Sequence, residues 1–221
     1  MSRVRIKFCG ITRQVDAQRA CALGVDALGF VLTRSSPRFI EPAAARALRR
    51  TLPPFVATVA LFMDDEPAWV AEAVSIVAPD LVQFHGSEPP ADCARAGRPW
   101  IKAVAMASEP DVASYAARYA GASAFLLDAH AVGEQGGSGR RFDWSRVPVL
   151  DRPVILAGGL DAGNVAEAIA HTRPFAVDVS SGIESAPGIK DAARMRDFVA
   201  AVTGWTRSIV GRDAVGRNDS E

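Results

Sequence analysis

Eight short runs rich in Val, Ile, Ala, Leu and Phe alternate with longer amphipathic stretches along this chain, and that alternation leaves few folds open. The runs cover residues 3–9, 27–32, 55–62, 80–84, 100–105, 124–128, 154–157 and 175–179. Most are apolar at successive positions, as expected of strands buried on both faces. Between them, helices are predicted over 14–23, 42–52, 67–77, 89–96, 111–119, 161–170 and 190–202. Gly24 supplies a stop for the first, and Pro42 and Pro67 suit first turns. The sixth helical slot is the poorest, with only 142–147 available after Gly136-Gly137-Ser138-Gly139. No linker or composition break interrupts the series. The pattern predicts an α/β fold, a single (β/α)8 barrel over 1–204, with a polar, frayed tail over 205–221.

The bulk properties remove several function classes. Lys+Arg and Asp+Glu both number 25, so no global field points to nucleic acid or to an anionic membrane. No apolar run has the length of a membrane span. Cys9, Cys21 and Cys93 form no CxxC pair and have no histidine at zinc spacing, which argues against a disulfide framework or structural metal. With no signal-peptide pattern at Met1-Ser2-Arg3-Val4-Arg5, a reducing cytoplasmic setting is expected.

In such a barrel the carboxyl ends of the strands share one rim, where the chemistry sits. The first strand exits at Cys9-Gly10 and the sixth at Asp128. A thiolate and a carboxylic acid on one rim could serve as base and acid. Taken singly, Cys9 reads equally as a small buried hydrophobe, and Asp128 as a helix cap. Arg38, in the turn after the second strand, could grip a carboxylate with its planar fork or lie solvated. His85, beside Gly86 at the fourth exit, could tune a neighbour or be structural. Gly158-Gly159 and Ser180-Ser181-Gly182 leave the seventh and eighth strands, where such barrels bind phosphate through backbone amides. A tight turn is the plain alternative there. The glycine-rich stretch 133–139 reads as a lid or as a loose connection.

These segments, taken together, resemble a known family. Lys7-Phe8-Cys9-Gly10-Ile11-Thr12-Arg13, Gln83-Phe84-His85-Gly86, Leu127-Asp128, Phe142-Asp143-Trp144, Gly158-Gly159-Leu160 and the stretch from Arg173 through Asp178 to Glu184 look like phosphoribosylanthranilate isomerases. The resemblance implies a (β/α)8 barrel performing an Amadori rearrangement in tryptophan biosynthesis, with no cofactor and no metal. It implies Cys9 as general base, Asp128 as general acid, and Arg38 as the holder of the anthranilate carboxylate. Gln83, His85 and Asp178 then become candidate substrate contacts, and Gly158, Gly159, Ser181 and Gly182 candidate phosphate contacts. The expected partner is a small phosphorylated substrate, with the chain a monomer or homodimer. Departures are mild: Phe8 and Phe84 replace aliphatic residues, His130 follows the acid strand, and the stretch after Trp205 has no counterpart.

Two rivals remain open from sequence. Another phosphate-binding barrel isomerase or the indole-glycerol-phosphate synthase would share the last two loops, but the latter calls for a lysine acid at a strand end. A non-catalytic phosphate-ligand sensor would need neither Cys9 nor Asp128.

Overall fold

The computed structural model describes residues 3–109, 111–131 and 141–215. Eight parallel strands close into a barrel in chain order. They are β1 (Arg5–Cys9), β2 (Ala27–Val31), β3 (Ala57–Phe62), β4 (Leu81–Phe84), β5 (Trp100–Ala105), β6 (Ala124–Asp128), β7 (Val154–Leu156) and β8 (Ala176–Val179). Closure is made by β1 on β8, with Lys7 opposite Asp178. Each expected strand is present, shortened at most by two residues at an end.

The strands divide the core in two. Ile6, Phe8, Leu28, Phe62, Phe84, Phe125, Leu127 and Val177 face outward and pack under the helices. Val59, Ile101, Ala103, Leu126, Ile155 and Ala157 fill the barrel interior. Cys9, Val31 and Leu61 form a smaller apolar layer above them. Because side chains alternate along a strand, the apolar runs hide a strict period of two. One parity builds the outer shell, and the other lines the interior and the rim.

The helices are α1 (Gln14–Ala22), α2 (Pro42–Arg49), α3 (Pro67–Val77), α4 (Pro90–Ala94), α5 (Val112–Arg118), α6 (Val165–Thr172) and α7 (Ala192–Val215). Three begin on proline, whose missing N–H is not needed in a first turn. Among the described residues the sixth slot holds only a 3-10 turn, Trp144–Arg146. Helix α6 starts later than expected because Asp161 is used in a turn. Its carboxylate accepts from the amides of Gly163 and Asn164 at 2.8 and 3.1 Å, and Asn164 Oδ1 accepts from the Asp161 amide at 3.0 Å. A hairpin of β9 (Glu184–Ala186) and β10 (Ile189–Lys190) was not anticipated, since two such short strands carry no periodic signal. Helix α7 continues past 202 into the stretch expected to be a tail. The glycine-rich stretch 133–139 lies outside the described residues.

The loop after β4 is pinned from beneath. Lys102 on β5 is fully buried and donates to Glu88 at 2.8 Å and to the Gly86 carbonyl at 2.5 Å. Glu88 accepts in turn from the amides of Asp64 and Gly86. Removing one partner of a buried pair leaves the other charge uncompensated, at about 3–5 kcal/mol. Lys102→Met is therefore expected to lower the unfolding free energy by about that amount in urea titrations. A loss below about 1 kcal/mol, the range of an exposed pair, would remove the pair from this role.

Candidate active site

Inward parity at the rim gathers the polar residues. Lys7 and Cys9, Gln83 and His85, Asp128 and His130, and Asp178 and Ser180 are each two residues apart, so each pair points into the barrel. Cys9, Arg38, Gln83, His85, Asp128 and Asp178 line one cavity, open at its mouth.

Cys9 lies against Gly29 of β2. A Cβ on that glycine would stand 2.9 Å from the Cys9 sulfur and 3.2 Å from Lys7 Nζ, so only glycine leaves room for both. Lys7 Nζ donates to Asp178 Oδ1 at 2.8 Å. Lys190 Nζ, on β10, donates to the Cys9 carbonyl at 2.6 Å and to Glu184 Oε1 at 2.7 Å. Burial pushes the Cys9 thiol above its ordinary pKa, and Asp178 adds to this, while the ammonium groups of Lys7 and Lys190 oppose it. The thiol is the favoured form of the free site.

Asp128 ends β6, with two strands, β7 and β8, between it and β1 round the barrel. Its Oδ2 lies 3.2 Å from His85 Nε2 and 3.7 Å from His130 Nδ1. The two imidazoles stack, centroids 4.4 Å apart at 24°. Gln83 Nε2 meets His85 Nδ1 at 2.9 Å. His85 Nε2, His130 Nδ1 and Gln83 Oε1 are buried without a hydrogen-bond partner among the described residues. Burial alone would raise the Asp128 carboxyl, but His130 and His85 beside it outweigh that and hold it well below the usual carboxylate range.

Arg38 is less free than the sequence implied. Its Nε and Nη2 form a fork on Glu184, at 3.0 and 2.7 Å, and both side chains are largely buried. Arg38 and Lys190 together keep the Glu184 carboxyl below its ordinary pKa against the effect of burial. Glu184 thus sets the plane of the guanidinium and leaves one edge for a ligand.

The last two loops meet each other. Gly158 and Gly159 both have positive φ, at 82° and 62°, which favours glycine. A Cβ on Gly158 would stand 2.5 Å from the Ala129 amide, and one on Gly182 would stand 2.0 Å from the Leu160 carbonyl. Both glycines are therefore required by packing between neighbouring loops, a reason distinct from close approach of a ligand. Among the described residues the amides of Gly158 and Gly159 have no hydrogen-bond partner. Ser181 opens a 3-10 turn of Ser181–Ile183 beside them.

The structure brings Cys9, Arg38, Gln83, His85, Asp128 and Asp178 to one cavity. Gln83 is fully buried behind His85, so its side chain orients that ring. Lys7 and Glu184 stand within the segments that carry the resemblance but had no role of their own there, and Gly29 and Lys190 were not singled out. Lys7 carried a usable signal, since it shares the parity of Cys9 within an apolar strand. The positions of Lys190 and Glu184 over the rim carried none, because only the hairpin folds them there.

A closed parallel barrel with a thiol, a carboxylate and an arginine around one rim cavity defines a protein of the (β/α)8 class with its polar groups gathered where such barrels place their sites. A family model described as N-(5'phosphoribosyl)anthranilate (PRA) isomerase matches residues 6–201. An N-(5'-phosphoribosyl)anthranilate isomerase of Thiobacillus denitrificans is 54% identical over 89% of this chain and 97% of its own. The crystal structure of phosphoribosyl anthranilate isomerase from Thermotoga maritima superposes with TM-score 0.83 at 42% identity, covering 91% of this chain and 99% of that one. Another such structure, 40% identical with TM-score 0.80 and the same coverage, holds reduced 1-(o-carboxyphenylamino)-1-deoxyribulose 5-phosphate. The chain belongs to the phosphoribosylanthranilate isomerase family.

Proposed function

We propose that the chain converts N-(5-phosphoribosyl)anthranilate to 1-(2-carboxyphenylamino)-1-deoxyribulose 5-phosphate, with Cys9 as base and Asp128 as acid. The observation that carries this reading is the placement of both groups on one cavity beside a pre-oriented Arg38, in a chain of this family. Asp128 protonates the ribose ring oxygen as the C1′–O bond breaks and the nitrogen lone pair forms the C1′ iminium. The Cys9 thiolate then removes the C2′ proton, and the C–H electrons form the C1′–C2′ double bond and neutralise the nitrogen. The enolamine ketonises as its C2′ hydroxyl gives up a proton and C1′ takes one.

The productive pair is thiolate with carboxylic acid, whereas the free site favours thiol with carboxylate. The two forms carry the same number of protons, so their ratio does not change with pH while one proton resides on the pair. The positive iminium favours the thiolate once ring opening has begun. Turnover should therefore hold level through neutrality and fall on the alkaline side as Cys9 ionises, above the ordinary thiol pKa.

The edge of Arg38 not held by Glu184 receives the anthranilate carboxylate. The phosphate lies on the amides of Gly158, Gly159, Ser181 and Gly182, with Gly159 the position where an added side chain would meet it. Gly159→Val, whose β-branched side chain also strains a backbone of positive φ, is expected to raise KM at least tenfold in steady-state kinetics, and inorganic phosphate should compete with substrate for the wild-type enzyme. A valine variant with unchanged KM would move the phosphate elsewhere. The reading as a whole is tested by the coupled fluorescence assay that follows loss of phosphoribosylanthranilate. Binding without turnover would leave a ligand sensor, and no loss of this substrate would leave a different barrel isomerase.

A further inference from the structure

We propose that His85, Asp128 and His130 form a three-ligand site for a transition-metal dication of the zinc class, and that occupancy switches the enzyme off. The inhibitory half rests on the reading of Asp128 as proton donor, whereas the binding half stands on geometry alone. The reaction proposed above routes no step through the cation.

The three ligand atoms all lie within 4.8 Å of one another. Asp128 Oδ2 is 3.2 Å from His85 Nε2 and 3.7 Å from His130 Nδ1. Bonds of about 2.0–2.1 Å in a tetrahedral zinc site place neighbouring ligands about 3.3 Å apart. The two distances to Asp128 are thus close to those around a bound ion, and the separation of the two histidines is the one that must close. Two imidazoles and one carboxylate suit zinc, copper, nickel or cobalt and not magnesium or calcium.

The two nitrogens are buried and face the Asp128 carboxylate, yet neither makes a hydrogen bond of good geometry to it or to any other described residue. Behind them stands a ready outer partner. Gln83 contacts His85 Nδ1 at 2.9 Å, and its Oε1 is likewise buried without a partner. Turning the carboxamide over lets Oε1 accept from Nδ1–H, which bares Nε2 as a ligand and orients the ring, the outer-shell arrangement typical of metal-bound histidine. The imidazole rings now stack, so His130 must turn about χ2 to converge on a cation. Room for that lies in a second cavity behind both rings, lined by Ser108, Glu109 and Tyr115. The fourth coordination position opens into the substrate cavity through Asp128 and His85. A cation held there takes the Asp128 oxygen that must carry the proton and occupies the place of the sugar ring oxygen.

The test uses the wild-type enzyme with Zn²⁺ as probe. Anomalous scattering from a Zn²⁺-soaked crystal should give a peak bonded to His85 Nε2, Asp128 Oδ2 and His130 Nδ1, and calorimetry should show one tight site. Turnover should fall at least tenfold at saturation and return with EDTA, while Mg²⁺ at the same concentration has no effect. His130→Phe, which keeps a buried ring, should weaken Zn²⁺ binding at least tenfold. No peak at the three atoms, or a peak only at the Cys21 or Cys93 sulfur, overturns the site while leaving the isomerase reading intact. A peak at the three atoms with unchanged turnover in an active enzyme overturns the inhibitory role and removes Asp128 as donor. Equal inhibition by Mg²⁺ overturns the assignment of the ligand class.

Discussion

Cys9→Ser is expected to lower kcat by roughly 10²-fold or more while leaving substrate binding largely unchanged. A serine hydroxyl fits the space over Gly29 without disturbing Lys7, so the cavity keeps its shape. What disappears is an ionisable group. The thiol already titrates above its ordinary value because it is buried beside Asp178, and only Lys7, Lys190 and the substrate iminium favour its anion. A hydroxyl in the same place cannot be ionised by those forces near neutrality. The alkaline fall in turnover should vanish with it, because no group of thiol pKa remains at that position. Steady-state kinetics across pH check both effects together. A serine variant with near wild-type kcat, or with the alkaline limb still in place, would take Cys9 out of the mechanism.

Asp128→Asn should be at least as damaging, with kcat reduced by about 10²- to 10⁴-fold, the range for losing one positioned proton donor. The amide has the shape of the carboxyl but cannot pass a proton to the ring oxygen as the C1′–O bond breaks. It also takes away the negative charge beside His85 and His130. A change confined to packing would lower thermal stability and leave kcat of the folded fraction unaltered. A loss of kcat with little change in melting temperature is the expected pattern. An asparagine variant that retains turnover would transfer the acid role to one of the two imidazoles.

The barrel was legible because its signal is local. Each strand is a short apolar run, each helix an amphipathic one, and their alternation admits only right-handed βα units. Cys9, Asp128, Arg38 and His85 were legible because strand exits are recognisable and share one rim. The poorest stretches were those where tertiary needs overrode local pattern. Asp161 stands at the start of the helix predicted over 161–170 yet closes a turn that delays α6 to Val165. Glu184, Ser185 and Ala186 have no strand periodicity and still form a hairpin that carries Lys190 to the Cys9 carbonyl.

By itself the sequence determined the class of fold, the order of its units and the chemical groups available at the rim, since these follow from propensity, periodicity and position in a βα repeat. Tertiary structure decided the state of those groups. That the Cys9 thiol is pushed above its ordinary pKa, that Arg38 is clamped by Glu184, and that Asp128 lies between two histidines depend on residues up to 181 positions apart meeting inside one cavity. Burial and the charges so assembled set each protonation state, and the spacing of residues along the chain does not encode how close they come once the barrel closes.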